Sequence, residues 1–166
     1  MIDKKKGYVY LMGDNINTDD IVPSHVLTMR CAEDMAECAC ENIDPNFSEN
    51  VKKGCIVVAG ENFGCGSSRE EAVYVFKILG IRAIIAKSFA RIYFRNLINN
   101  GIPGLTLDWE DSDFKQDDKI EINLKEGLIY NTSQNKEIPF KKLPPFLMEI
   151  VEKNGILNKI KESRSF

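Results

Sequence analysis

The sequence is poor in several things, and each shortage closes off a class of function. It has a single histidine, His25, so a zinc site of paired ligands has little to draw on. No run approaches the roughly 18 consecutive apolar residues of a membrane-spanning helix. The apolar stretch after the basic start, Val9–Met12, is too short for a signal-peptide core and breaks at Gly13-Asp14-Asn15. A cytoplasmic location is therefore expected, with no membrane partner. Basic residues are not in excess. There are 22 Lys and Arg against 25 Asp and Glu, a net charge of −3, so nucleic acid is not an expected partner. The five cysteines, Cys31, Cys38, Cys40, Cys55 and Cys65, are odd in number and form no C-x-x-C pair. Free thiols in a reducing compartment fit better than a disulfide framework, and no metal held by this chain is expected. Internal repeats and low-complexity segments are absent too.

What remains is the make-up of a folding α/β chain. Its 166 residues, 43% hydrophobic and 28% charged, suit one domain that buries its core without staples. Residues 1–166 are read as that domain, with a motif-bearing core to about residue 110 and a β-hairpin with a C-terminal helical part from about 111. Strands are expected at 7–12, 55–59, 81–86 and 105–107, helices at 33–41 and 89–99, an extended pair at Ile21-Val22, and a loop over 43–53. The runs at 55–59 and 81–86 are apolar and short, the mark of buried strands. A strand, a helix and a strand in that order predict a parallel pair with a crossover helix. Later, Ile120–Leu124 alternates, Gly127 turns, and Leu128-Ile129-Tyr130 returns as a hairpin partner. A last helix is expected near 146–153, and a frayed end over 159–166. The fold class is α/β: a mixed sheet flanked by helices.

Chemistry concentrates in residues 60–69, Gly-Glu-Asn-Phe-Gly-Cys-Gly-Ser-Ser-Arg, which leave a buried strand and lead to a helix ending at Gly80. Such a turn gathers backbone N–H groups and the positive end of a helix dipole, a ready anion site. Ser67 with Glu70, and Ser68 with Glu71, each fit a capping box. Arg69 would then stand in the first helical turn, where a cation opposes the dipole, and a residue that breaks a local rule invites a functional explanation. Its planar fork suits a carboxylate. A tight, well-capped turn with no ligand is the plain alternative. A P-loop lacks its lysine here, and a dinucleotide fingerprint would have glycine where Arg69 stands. Ser67, His25 and Asp19 form a conceivable triad, but G-x-S-x-G is absent. Asp19 in its turn equally suits plain backbone capping. Cys65 is the thiol nearest the anion site, or a small buried filler.

Three segments carry a family resemblance. Gly60–Glu70, then Ala86-Lys87-Ser88-Phe89-Ala90-Arg91-Ile92, and upstream Gly13–Pro23 resemble the swivelling domain of the aconitase superfamily. A free-standing domain of this size is similar to the small subunits of that superfamily's two-chain dehydratases, those acting on isopropylmalate and on homoaconitate. The resemblance runs from about residue 7 to 107. It implies a swivelling β/β/α-type domain and a hydro-lyase active only with a large subunit, the partner that would hold a four-iron, four-sulfur cluster. The substrate implied is a small hydroxy-dicarboxylate. By the same resemblance Ser67 is the catalytic base, Ser68 and Arg69 bind a substrate carboxylate, and Thr18 and Asp19 belong to the hydrogen-bond network of the site. A serine base needs a concentrated positive field, which a helix N-terminus and Arg69 would give.

The family selects the substrate's side group just after the Thr-Asp turn, where homoaconitases carry Tyr-Leu-Arg-Thr. The matching segment is Val26-Leu27-Thr28-Met29, with Thr28 in place of the arginine. An apolar side group is favoured, since an unpaired buried carboxylate costs several kcal/mol. Arg30, two residues on, would share a face with Thr28 in an extended segment and offers itself for the same role. A small methylated malate also suits an apolar pocket. Two other classes stand beside the dehydratase subunit: a non-catalytic small-anion-binding module, and an RNA-binding role that the net charge disfavours.

Overall fold

The computed structural model describes residues 4–51 and 54–165. Positions 1–3, 52, 53 and 166, which belong to the basic start, the expected loop and the expected frayed end, lie outside the described residues.

Two short apolar strands set the architecture. Ile56–Ala59 (β2) and Ala83–Ala86 (β3) are buried at every position. Their side chains alternate between two cores: Val57, Ala59, Ile84 and Ala86 face one, while Ile56, Val58, Ala83 and Ile85 face the other. Strands apolar on both faces must be covered on both. They pair in parallel, Ile56 opposite Ala83 and Ala59 opposite Ala86, with the helix Glu71–Ile78 (called α4) crossing between them.

Lys4–Leu11 (β1) joins two kinds of sheet. Its last residues pair parallel with β2, Val9 opposite Ile56. Its first half pairs antiparallel with Lys119–Asn123 (β5), Gly7 opposite Ile120. With Gly104–Thr106 (β4), Leu128–Asn131 (β6) and Lys136–Pro139 (β7), the result is one mixed sheet in the order β4-β3-β2-β1-β5-β6-β7. The expected mixed α/β sheet and its parallel crossover are both present.

Helices Thr18–Ile21 (α1), Ala32–Glu37 (α2), Phe47–Asn50 (α3) and α4 all bury residues in the first core, which contains Phe47, Phe63 and Phe76. Pro145–Glu152 (α6) contributes Ile150 and Val151 to the second, beside Trp109 and Phe114. Arg91–Asn99 (α5) bridges the two, giving Tyr93 and Leu97 to the first and Ile98 to the second. Ile156–Ser163 (α7) closes the chain.

Four local readings change. Ile21 ends helix α1 instead of lying extended, because Asn17 and Asp20 cap that helix reciprocally. The expected loop over 43–53 contains α3, formed where Phe47 enters the core with no exposure. The expected hairpin is a three-stranded meander. Its third strand, β7, is an edge, where Pro139 forgoes a ladder donor at little cost. The end expected to fray is helical through Ser163, tied to α6 by the Lys159–Glu149 ion pair at 3.0 Å.

Candidate active site

The loop after β2 is fastened on two sides by backbone hydrogen bonds. Gly64 N–H donates to Ile16 O at 2.8 Å and Thr18 N–H donates to Cys65 O at 2.9 Å, tying it to the turn before α1. Phe63 N–H donates to Ser88 O at 3.0 Å and Ala90 N–H donates to Phe63 O at 2.9 Å, tying it to the lead-in of α5. The three sequence segments that bear the resemblance therefore meet at the C-terminal ends of the parallel strands, where open α/β sheets place their ligands. Gly64 makes the approach to α5 close. Its φ is +82°, and a Cβ there would lie 2.1 Å from the Tyr93 ring. That ring is anchored by its hydroxyl, which donates to Ala72 O at 2.9 Å.

The expected site residues separate into two groups. Thr18, Ser67, Ser68 and Arg69 line one cleft of about 370 Å³, closed on its other side by Ala90–Tyr93 and Asn96 of α5. Thr18 is only 2% exposed, and its hydroxyl donates to Ser67 O at 2.7 Å. Ser67 is thus fixed through its backbone, while its side chain and that of Ser68 are exposed. Neither hydroxyl has a hydrogen-bond partner among the described residues. Arg69 is largely covered. Its Nη1 donates to Val22 O at 2.9 Å and its Nη2 pairs with Asp19 Oδ1 at 2.8 Å. Asp19 therefore meets the site through Arg69. A guanidinium has five N–H donors, so donors remain for a carboxylate.

The second group lies elsewhere. Thr28 ends the 3₁₀ turn Ser24–Thr28, where its hydroxyl donates to His25 O at 3.1 Å. It and Arg30 are exposed and do not line the cleft. Residues 28 and 30 share a face only in an extended segment. The 3₁₀ turn removes that geometry and sends Val26, with no exposure, into the core.

Two other expectations fail on structural grounds, and the triad that the sequence already disfavours is absent. Helix α4 begins at Glu71 after Glu70, which supplies no side-chain cap, so neither serine capping box forms. The backbone at Ser67 is bonded to Thr18 instead of turning into the helix. Arg69 consequently precedes the helix, and its charge is balanced by Asp19, so it does not stand against the dipole in the first turn. The triad does not assemble either. His25 Nε2 pairs with Glu41 at 2.8 Å, and Asp19 pairs with Arg69. Cys65 is partly exposed on the loop but does not line the cleft.

Residues 11–110 match the aconitase C-terminal domain family. The chain is 42% identical over 161 residues to 3-isopropylmalate dehydratase small subunit 1 of Methanopyrus kandleri, covering 97% of this chain and 95% of that one. The corresponding protein of Archaeoglobus fulgidus is 45% identical over 159 residues, 95% of this chain and 98% of that one. This chain belongs to the 3-isopropylmalate dehydratase small-subunit family. The fold agrees. The crystal structure of 3-isopropylmalate dehydratase from Methanocaldococcus jannaschii superposes with a TM-score of 0.90 at 40% identity, covering 97% of this chain and 95% of that one.

Members of the aconitase family work as hydro-lyases, and an iron–sulfur cluster is the cofactor the resemblance implies. The thiols here do not suit one, because a cluster needs gathered thiolates. Cys31 is exposed, its thiol donating to Glu33 at 3.1 Å. Cys40 and Cys55 are buried, and burial pushes the Cys55 thiol up to about 12. Among the described residues, no three His, Cys, Asp or Glu side chains gather as a metal site. Among those residues, too, no helix is long and apolar enough to cross a membrane.

Sequence reasoning overlooked the α5 wall. Arg91 lies in a segment that bears the resemblance but has no role implied there, and Tyr93 and Asn96 carry no motif. A signal was available. Arg91 opens its helix, where a cation opposes the dipole, and stands four residues before Arg95, a like-charge spacing that weakens a helix.

Proposed function

We propose that this chain is the small subunit of a 3-isopropylmalate dehydratase, interconverting 2-isopropylmalate and 3-isopropylmalate by removing and re-adding water. It works in the cytoplasm with a large subunit that carries the iron–sulfur cluster. One observation supports this above others: a loop of this small-subunit family presents two free hydroxyls beside a positioned arginine in an open cleft.

Each residue then has a task. Ser67 Oγ accepts the proton from the carbon next to a substrate carboxylate as the hydroxyl on the adjacent carbon departs, and returns it in the reverse step. Ser68 and the remaining N–H groups of Arg69 hold that carboxylate. Asp19 and Val22 O orient the guanidinium, and Thr18 holds the loop that carries Ser67. The start of α5 faces the cleft with no side-chain cap on its N-terminus, so its dipole adds to the positive field that a serine base requires. The Lewis acid of the reaction belongs to the partner.

Reconstitution tests the proposal. Neither subunit alone should turn over isopropylmalate, and the pair should. Activity of the isolated chain would refute the two-subunit reading. Comparing kcat/KM of the pair for isopropylmalate, dimethylmalate and homoaconitate tests the substrate. Thr28 stands where the resemblance puts the arginine of homoaconitases, which favours an isopropyl group over a further carboxylate. A preference for homoaconitate that Arg30→Ala abolishes would overturn the substrate and restore Arg30 to the site.

A further inference from the structure

A second groove, of about 400 Å³, lies between α5 and α6 and shares Arg91 with the cleft. Phe94, Ile98, Ile150 and Phe146 line it, and Phe146 is 63% exposed. Arg95 stands one turn after Arg91 on the same helix face. Both arginines are exposed, and neither has an ion-pair or hydrogen-bond partner among the described residues. Helix α5 has no acidic residue in its first turn. Two unpaired cations spaced i, i+4 near a helix N-terminus work against that helix. Aromatic and arginine side chains around an apolar hollow also match the make-up of an interface centre.

We propose that this groove is the docking surface for the large subunit, which meets it with an apolar surface bearing carboxylates opposite Arg91 and Arg95. The inference rests on the two-subunit function above. Two observations choose the occupant. Because Arg91 lines both hollows, a chain that closes the cleft over substrate also covers the groove. A second copy of this chain is a poor occupant. A two-fold contact sets a patch against itself, and this lining offers arginines and no carboxylate to meet them.

The test measures binding of the purified large subunit to the full-length chain, at low and at raised salt. Arg95→Glu and Phe146→Ser change exposed side chains outside the catalytic cleft, and melting curves verify that both variants fold. Each should weaken Kd by about ten-fold or more, while kcat at saturating small subunit stays at the wild-type value. Arg95→Ala should flatten the salt dependence of association. Lys77→Glu, an equal charge change at an exposed position on α4, should leave Kd unchanged. Wild-type-like Kd in both Arg95→Glu and Phe146→Ser, alongside normal binding by the unmodified chain, would overturn the docking surface and leave the function standing. Self-association of the unmodified chain, abolished by the same variants in sedimentation, would assign the groove to a second copy. If the unmodified pair neither bound nor turned over, both proposals would fall.

Discussion

Ser67 and Arg69 are held in opposite ways, and that difference predicts how each should fail. Ser67 is positioned through its carbonyl, which Thr18 engages, so its hydroxyl is spent on nothing. Removing the hydroxyl leaves the loop in place. In the reconstituted enzyme Ser67→Ala should lower kcat by about 10²–10⁴-fold, the usual cost of losing a positioned base, with KM little changed. Arg69 is positioned through its side chain, by Asp19 and Val22. Arg69→Lys keeps the charge but loses the fork, so it should raise KM more than it lowers kcat. Steady-state kinetics of the two variants decides the matter, and near wild-type kcat for Ser67→Ala would remove Ser67 from its role. The shared loop of both residues was legible in the sequence, while their proposed roles rest on the family resemblance. The hydrogen bonds that hold the two residues were not legible, because Thr18 lies 49 residues from its acceptor, and such a partner has no sequence signature.

Among the elements, β2, α4, β3 and α5 could be read because period and glycine punctuation marked them. Their boundaries moved where tertiary bonds outbid local signals. S-x-x-E appears twice before α4 and caps nothing, while the box that does form, Asn17 with Asp20, opens a helix of only four residues. Helices of one turn are set by packing more than by propensity, so α1 and α3 left little pattern to find. Strand β7 buries only Ile138, so its four residues hold too few apolar positions to mark a strand in the sequence. The fit of the loop against α5 is a property of elements together. Gly64 and Gly80 both have positive φ, +82° and +76°, but a Cβ at Gly80 meets nothing within 4 Å, whereas at Gly64 it strikes Tyr93. Gly80→Ala should therefore cost only the backbone strain, about 1 kcal/mol. Gly64→Ala should cost clearly more and lower Tm further, since the anchored ring has to move. Equal shifts in Tm would show that the loop does not depend on this close approach.

At the scale of the whole molecule, two cores on opposite faces of one sheet decide which groups the solvent reaches. The five cysteines are all unpaired, yet they are far from equivalent. Cys40 and Cys55 sit in the first core, and burial raises both thiols, Cys55 to about 12. Burial also raises Cys38, with the carboxylate of Glu41 adding to it. Cys31 is exposed at the start of α2. Alkylation proceeds through the thiolate, so a raised, covered thiol is doubly protected at neutral pH. With iodoacetamide under native conditions, mass spectrometry should find Cys31 modified first, and Cys40 and Cys55 unmodified over the same interval. Because those two lie among side chains from the sheet and from α4, their exposure requires the first core to open as a unit. Their labelling should rise with denaturant along the same curve as loss of the helical signal. Early labelling of Cys55 well below that transition would mean that β2 opens separately, and that the strand leading into the loop of Ser67 is less firmly held than its complete burial implies.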